Sequence, residues 1–209
     1  MKTYISLSGF DSSQIVSLIV KYGIEGKDRI ILIRPEVELD TRGELTVQAI
    51  RDLSSQIDST IDLQIHRVNH RDFEGMVVSL IALLEKAEGQ VIANLSGGPR
   101  EIFLAFTIAC ISQSGKIFKT TNYSDIERSL HEVTLPNITA VLEDRQKRIL
   151  KDVSESQPTN ITDIAKRLSV SESTVSRQVA RLADLGALNV LARGKTKEVR
   201  ITLTGKILL

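Results

Sequence analysis

From its start to Leu135 the chain alternates short β-rich runs with longer helical ones, and this alternation restricts the possible folds more than any other feature. YISLS (4–8) precedes SSQIVSLIVKYG, in which Ile15, Leu18, Ile19 and Tyr22 recur at helical spacing. RIILIR (29–34) precedes a helix expected over 41–58, with Leu45, Ala49, Leu53 and Ile57 one turn apart. DLQIHRV (62–68) leads into DFEGMVVSLIALLEKA, and QVIANLS (90–96) into a helix over 99–114. KIFKTT (116–121) and LHEVTL (130–135) complete the set. Nearly uniform hydrophobicity in the first, second and fourth strands implies burial on both faces, as in a parallel sheet covered by helices. The expected fold is therefore α/β: a Rossmann-like, doubly wound, mainly parallel six-stranded sheet, whose commonest strand order is 3-2-1-4-5-6.

In that order the first and fourth strands are neighbours, and a crevice opens beyond their C-terminal ends. Two glycine loops fall there: SGFD (8–11) and SGGPRE (96–101). Gly9, Gly97 and Gly98 let backbone N–H groups approach a ligand, and the helix N-termini that follow favour anionic oxygens. Ser8, Ser12 and Ser96 offer hydroxyls, Arg100 a planar cationic fork for phosphate, and Phe10 a ring that can stack on a base. Pro99 opens the second helix, and Asp11 reads as a helix cap rather than an acid or base. Arg34, Asn69 and Asn122, at strand C-termini, are further candidates for the wall. Neither G-x-G-x-x-G after the first strand nor G-x-x-x-x-G-K-[ST] occurs, which argues against dinucleotide-dependent dehydrogenases and P-loop hydrolases. No catalytic residue and no cofactor are assigned.

After LPN (135–137) the pattern changes. ITAVLEDRQKRILKDVSES is expected to be one helix, with Val141, Leu142, Ile149 and Val153 on its apolar face, joining two domains (1–136 and 137–209) and supporting a dimer. A short helix capped by Asn160 or Thr162 carries Ile164, Ala165 and Leu168; a turn at SVSE leads to a second, with Val175, Val179, Leu182 and Leu185, closed by Gly186. This is helix-turn-helix spacing, with Ser169 where a turn glycine is usual. Ser173, Thr174, Ser176, Arg177, Gln178 and Arg181 remain for the exposed face, where a recognition helix meets the major groove of DNA. ALNVLARGKTKEVRITLT then reads as a β-hairpin wing, whose Arg193, Lys195 and Lys197 suit backbone phosphates.

Charge supports the division. Residues 137–209 hold 13 Lys/Arg against 8 Asp/Glu, whereas residues 1–136 hold 14 against 18. A basic second domain invites a polyanion. The single cysteine, Cys110, lies in an apolar run and reads as core in a reducing compartment. No stretch approaches the roughly 18 apolar residues of a membrane span, so a cytoplasmic protein with no membrane partner is expected. His66, His70 and His131 lack partners at metal-ligand spacing, and no metal site is assigned.

Taken together, the SGF loop after the first strand, the SGGxRE-like loop after the fourth and the C-terminal winged helix resemble the CARF-domain (CRISPR-associated Rossmann fold) transcriptional regulators of the Csa type. ITLTGKILL is similar to the end of MarR-type winged helices. The resemblance implies a homodimer whose paired N-terminal domains form one symmetric pocket for a cyclic oligoadenylate, with cyclic tetra-adenylate expected. Ser8, Gly9, Phe10 and Asp11, and Ser96, Gly97, Gly98, Pro99 and Arg100, match the two family loops. It also implies double-stranded DNA as partner, at promoters of CRISPR-associated genes or the array, with the ligand modulating DNA binding. Alternatives are a ring nuclease using Ser8 and Arg100, a redox-sensing repressor holding NAD, and an architectural DNA binder.

Overall fold

Strands β1 (Lys2–Leu7), β2 (Arg29–Pro35) and β4 (Gln90–Asn94) are almost wholly buried, as runs without polar alternation require. In this computed structural model, which describes residues 1–36, 41–193 and 196–209, they form the middle of a six-stranded sheet of order β3-β2-β1-β4-β5-β6. Its other members are β3 (Asp62–Val68), β5 (Ile117–Ser124) and β6 (Ser129–Glu132). All neighbours pair in parallel except β5 and β6, which pair antiparallel. The chain divides into two compact units, Met1–Thr134 and Leu135–Leu209.

Helices α1 (Ser13–Tyr22) and α2 (Arg42–Ile57) cover one face of the sheet, where Ile15, Leu18, Ile19, Val47 and Ile50 pack on Tyr4, Ile30, Leu32 and Ile92. Successive strand residues point to opposite faces, and the alternates Ile5, Leu7, Ile31, Ile33 and Val91 are equally buried. Helices α3 (Phe73–Lys86) and α4 (Arg100–Ser112), packed against each other, bring buried Met76, Leu80, Leu84, Ile102 and Phe106. Cys110 is fully buried on α4, and burial pushes its thiol pKa up. No helix among the described residues is long and apolar enough to cross a membrane.

Two helical expectations need correction. The buried stripe of α2 is Gly43, Thr46, Val47, Ile50 and Ser54, while Leu45, Ala49 and Ile57 face out and Leu53 is half-buried. The hydroxyls of Thr46 and Ser54 bond backward to the carbonyls of Arg42 and Ile50, at 3.2 and 2.8 Å, so polar residues occupy the inner face without a desolvation penalty. The helix expected over 138–156 begins only at Asp144. α5 (Asp144–Glu155) is started by a capping box in which the Glu143 N–H donates to Gln146 Oε1 at 2.9 Å. Leu142, Ile149 and Val153 are buried, but Val141, ahead of the helix, is 91% exposed.

The second unit is a winged helix-turn-helix. Asn160 caps α6 (Ile161–Leu168) by accepting from the Asp163 N–H, and Ser171 caps α7 (Glu172–Asp184) by accepting from that of Thr174. Ser169 in the turn adopts φ +53°, the left-handed conformation that glycine takes most easily. Arg167 grips Asp152 with two bonds of 2.9 and 2.7 Å, fixing α6 on α5. Strands β7 (Thr159–Asn160), β8 (Leu188–Arg193) and β9 (Thr196–Ile201) form a sheet of order β7-β9-β8, and α8 (Leu203–Leu208) follows.

Candidate ligand cavity and nucleic-acid interface

The C-terminal ends of β1, β4 and β5 are tied by a hydrogen-bond chain. Asn94 Nδ2 donates to Ser6 Oγ at 3.0 Å, and Asn94 Oδ1 accepts from Ser96 Oγ at 3.0 Å and Thr121 Oγ1 at 3.2 Å. Ser96 Oγ also accepts from the Tyr123 N–H, and Asn122 Nδ2 donates to the Leu95 carbonyl. This buried network sets where both glycine loops leave the sheet, and it uses up the hydroxyl that the sequence offered as a ligand contact: Ser96 turns inward and is 6% exposed.

Beyond those ends lies a cavity of about 610 Å³, a size usual for small-molecule sites. Ser8, Gly9, Phe10 and Asp11 from the first loop and Gly97, Gly98 and Pro99 from the second meet in its wall. The loops touch: a Cβ on Gly9 would stand 3.2 Å from the Gly98 nitrogen. Gly97 and Gly98 both have φ near +70°, and a Cβ on Gly97 would collide with the Gln14 side chain, so local geometry alone demands glycine there. Arg100 is exposed at the first turn of α4, outside the cavity wall.

Three observations within the wall concern a ligand. Ser8 is 5% exposed and its Oγ has no hydrogen-bond partner among the described residues. The N–H groups of Gly9, Gly97 and Gly98 likewise donate to nothing among the described residues. Phe10, by contrast, is 61% exposed at the mouth. Asp11 accepts from the Ser13 N–H at 2.9 Å and the Ser13 hydroxyl at 2.7 Å; these bonds hold its carboxyl below the usual range, so it anchors the start of α1 with Ser12 in the cap position.

Arg34, fully buried in the wall, has Nη1 3.4 Å from Glu44 Oε1. His70, Glu101, Tyr123 and Asp125 also line the cavity, and sequence reasoning missed them. The one signal available was position, because Tyr123 lies at the C-terminal end of β5 and His70 just beyond that of β3. Asn69 and Asn122 are outside the wall, since Asn69 accepts from the Arg71 N–H and Asn122 is spent on Leu95. With three carboxylates against one guanidinium among the described residues of the wall, any affinity for phosphate rests on the free amides, the helix N-termini and the rim.

In the second unit Ser173, Ser176, Arg177 and Arg181 are exposed along α7, and Thr174 is half-buried beside the Ser171 cap. Gln178 is a correction: it is 6% exposed, because it shares the inner stripe with Val175, Val179 and Leu182. Arg181 Nη1 lies 4.0 Å from Glu143 Oε1. Lys197 is exposed on β9 and lines a cleft with Asn160, Ser173 and Ser176; Arg193 ends β8 opposite Thr196, and Lys195 lies outside the described residues.

Residues 2–136 match the family model of the Csa3 CRISPR-associated Rossmann-like domain. The chain belongs to that family. Residues 142–193 match the MarR family, so the family's Rossmann-like domain is followed here by a MarR-type winged helix, the architecture of a CRISPR-associated DNA-binding regulator. A CRISPR locus-related Csa3 protein of Saccharolobus solfataricus, described as DNA-binding, is 26% identical over 98% of this chain and 86% of its own length. Among solved structures, Csm6 of Enterococcus italicus bound to a cyclic hexa-2'-fluoro-hexa-dAMP is similar with TM-score 0.52 and 11% identity, over 88% of this chain and 49% of Csm6. That likeness is one of fold. VC1899 from Vibrio cholerae has TM-score 0.48 and 11% identity over 98% of this chain and 63% of its own. The chain spans about half the length of Csm6 and less than two thirds of VC1899.

Proposed function

We propose that this chain is a ligand-responsive transcriptional regulator that acts as a homodimer. The cavity between the SGF and SGGPRE loops binds a cyclic oligoadenylate, with cyclic tetra-adenylate the expected ring. The winged helices bind double-stranded DNA at promoters of CRISPR-associated genes or the array, and ligand changes DNA affinity. The observation that carries the ligand reading is the meeting of both loops on one cavity, where a buried Ser8 hydroxyl and the Gly9, Gly97 and Gly98 amides have no partner among the described residues. Phosphate oxygens and ribose hydroxyls are the groups such donors satisfy. Csm6, of similar fold, holds a cyclic hexa-adenylate analogue in its solved structure, which supports the same ligand class here. Two copies of each loop around a two-fold axis suit a ring of identical nucleotides.

Calorimetric titration with cyclic tetra-adenylate, with linear oligoadenylate and an Arg100→Ala variant as controls, tests the ligand. One ring bound per two chains, weakened by the substitution and absent for the linear form, is the expected result. No heat of binding would reject the ligand and leave the winged helix alone supported. Fluorescence anisotropy of labelled duplex with and without the ring tests the coupling, and equal affinities would reject it.

A further inference from the structure

The second unit holds a cleft of about 340 Å³ beside α7 that the reading above does not use. Arg145 and Arg148 of α5 form one side, Ser171, Thr174 and Gln178 the other, and Leu168 lies between. Gln178 is 6% exposed, yet its Oε1 has no hydrogen-bond partner among the described residues. A buried acceptor left unpaired is destabilising, so a donor is expected to come to it.

The donors are at hand. Arg145 and Arg148, three residues apart on one face of α5, are exposed, and their side chains make no ion pair or hydrogen bond among the described residues. Arg167 and Arg200, by contrast, are committed to Asp152 and Glu198. A guanidinium carries five N–H donors, so one that turns toward Gln178 Oε1 keeps a free fork for an anion.

Position identifies the anion. Around α7, Ser173 and Arg177 lie at the centre of the exposed face, with Glu172 and Ser176 on one flank and Thr174 and Gln178 on the other. The first flank meets the cleft that holds Lys197, and the second meets the arginines of α5. The major groove is about 12 Å wide and a helix about 10–12 Å across, so a helix seated in it presents its two flanks to opposite phosphate rims. We propose that Arg145 and Arg148, steadied by Gln178, clamp the DNA backbone on the rim opposite the wing. This rests on the DNA-binding reading above.

Anisotropy titrations of a labelled mixed-sequence duplex, from about 50 to 200 mM salt, test it without knowledge of an operator. Replacing both residues, Arg145→Ala with Arg148→Ala, is expected to weaken binding about tenfold or more and to flatten the log–log salt slope by about 1.8, or about 0.9 per phosphate contact. Lys147→Ala with Lys151→Ala removes the same charge from another face of α5 and is expected to change both quantities far less. Gln178→Leu keeps the charges and is expected to lose affinity with the slope unchanged. Wild-type binding with unaltered affinity and slope in the arginine variant overturns the clamp alone, as does an equal effect in the lysine variant. Full affinity in Gln178→Leu overturns the role of Gln178. Failure of the wild type to bind duplex overturns the DNA reading and the clamp together.

Discussion

The Arg42 guanidinium lies 4.2 Å from the centroid of the Phe10 ring, at the mouth of the loop cavity. An exposed cation–π contact of this kind is worth about 0.5–1 kcal/mol, whereas stacking a base on an aromatic ring is worth about 1–3 kcal/mol. An adenine can therefore displace the arginine, or sandwich the ring against it, at a net gain. The chain has no tryptophan, so Phe10→Trp introduces a single reporter at this spot. Its fluorescence is expected to change on addition of cyclic tetra-adenylate, and Phe10→Ala is expected to weaken binding about 5- to 150-fold, the equivalent of about 1–3 kcal/mol. An unchanged emission together with unchanged calorimetric affinity would place Phe10 outside the ligand's reach.

Gly97→Ala tests the loop that defines the cavity floor. Its φ of +70° disfavours any Cβ, and the added carbon would push against the Gln14 amide, which donates to the Leu7 carbonyl at 2.9 Å. The left-handed conformation alone costs about 1–2 kcal/mol, so a loss of about 2 kcal/mol or more in urea unfolding is expected. Adding Gln14→Ala removes the collision and is expected to return part of that loss; simple additivity of the two substitutions would show that Gln14 is not what resists the methyl group.

Ser169 offers the opposite experiment. Held at φ +53° in the helix-turn-helix turn, it carries a backbone cost that glycine avoids. Ser169→Gly is expected to stabilise the second unit by up to about 1 kcal/mol, since relief of the left-handed strain outweighs the extra chain entropy glycine loses. Duplex affinity should stay as in the wild type, because Ser169 is not on the exposed face of α7. A lowered melting temperature would contradict the conformational account.

Strand order and the meeting of the two glycine loops were legible because both rest on strong signals, continuous apolar strands and paired turns at a switch point. What escaped reading has a common physical cause. Thr46 and Ser54 on α2, Ser96 after β4 and Gln178 on α7 are polar residues in buried positions, and pattern reading assigns polar residues to solvent or ligand. The first two satisfy themselves on their own helix and Ser96 joins the Asn94 network, so burial costs them little. Gln178 finds no partner within the described residues, which is why it points to a missing donor rather than to packing.

His66 gives the first unit a pH dependence whose sign can be worked out. Its Nε2 lies 2.9 Å from the Ser79 hydroxyl, between β3 and α3, and burial holds its pKa below the ordinary value of about 6.5. The unfolded chain therefore takes up this proton at a higher pH than the folded one. Stability from the neutral ring is complete above about pH 6.5 and is lost as the pH falls toward the lower folded-state pKa. The melting temperature is expected to be level near neutrality and to decline as the pH falls below about 6.5, with a shallower decline in His66→Gln, whose amide can still meet Ser79. The other two histidines are common to both proteins, so the difference between the curves belongs to His66. Parallel curves would mean that the ring is as easily protonated in the folded chain as in the unfolded one.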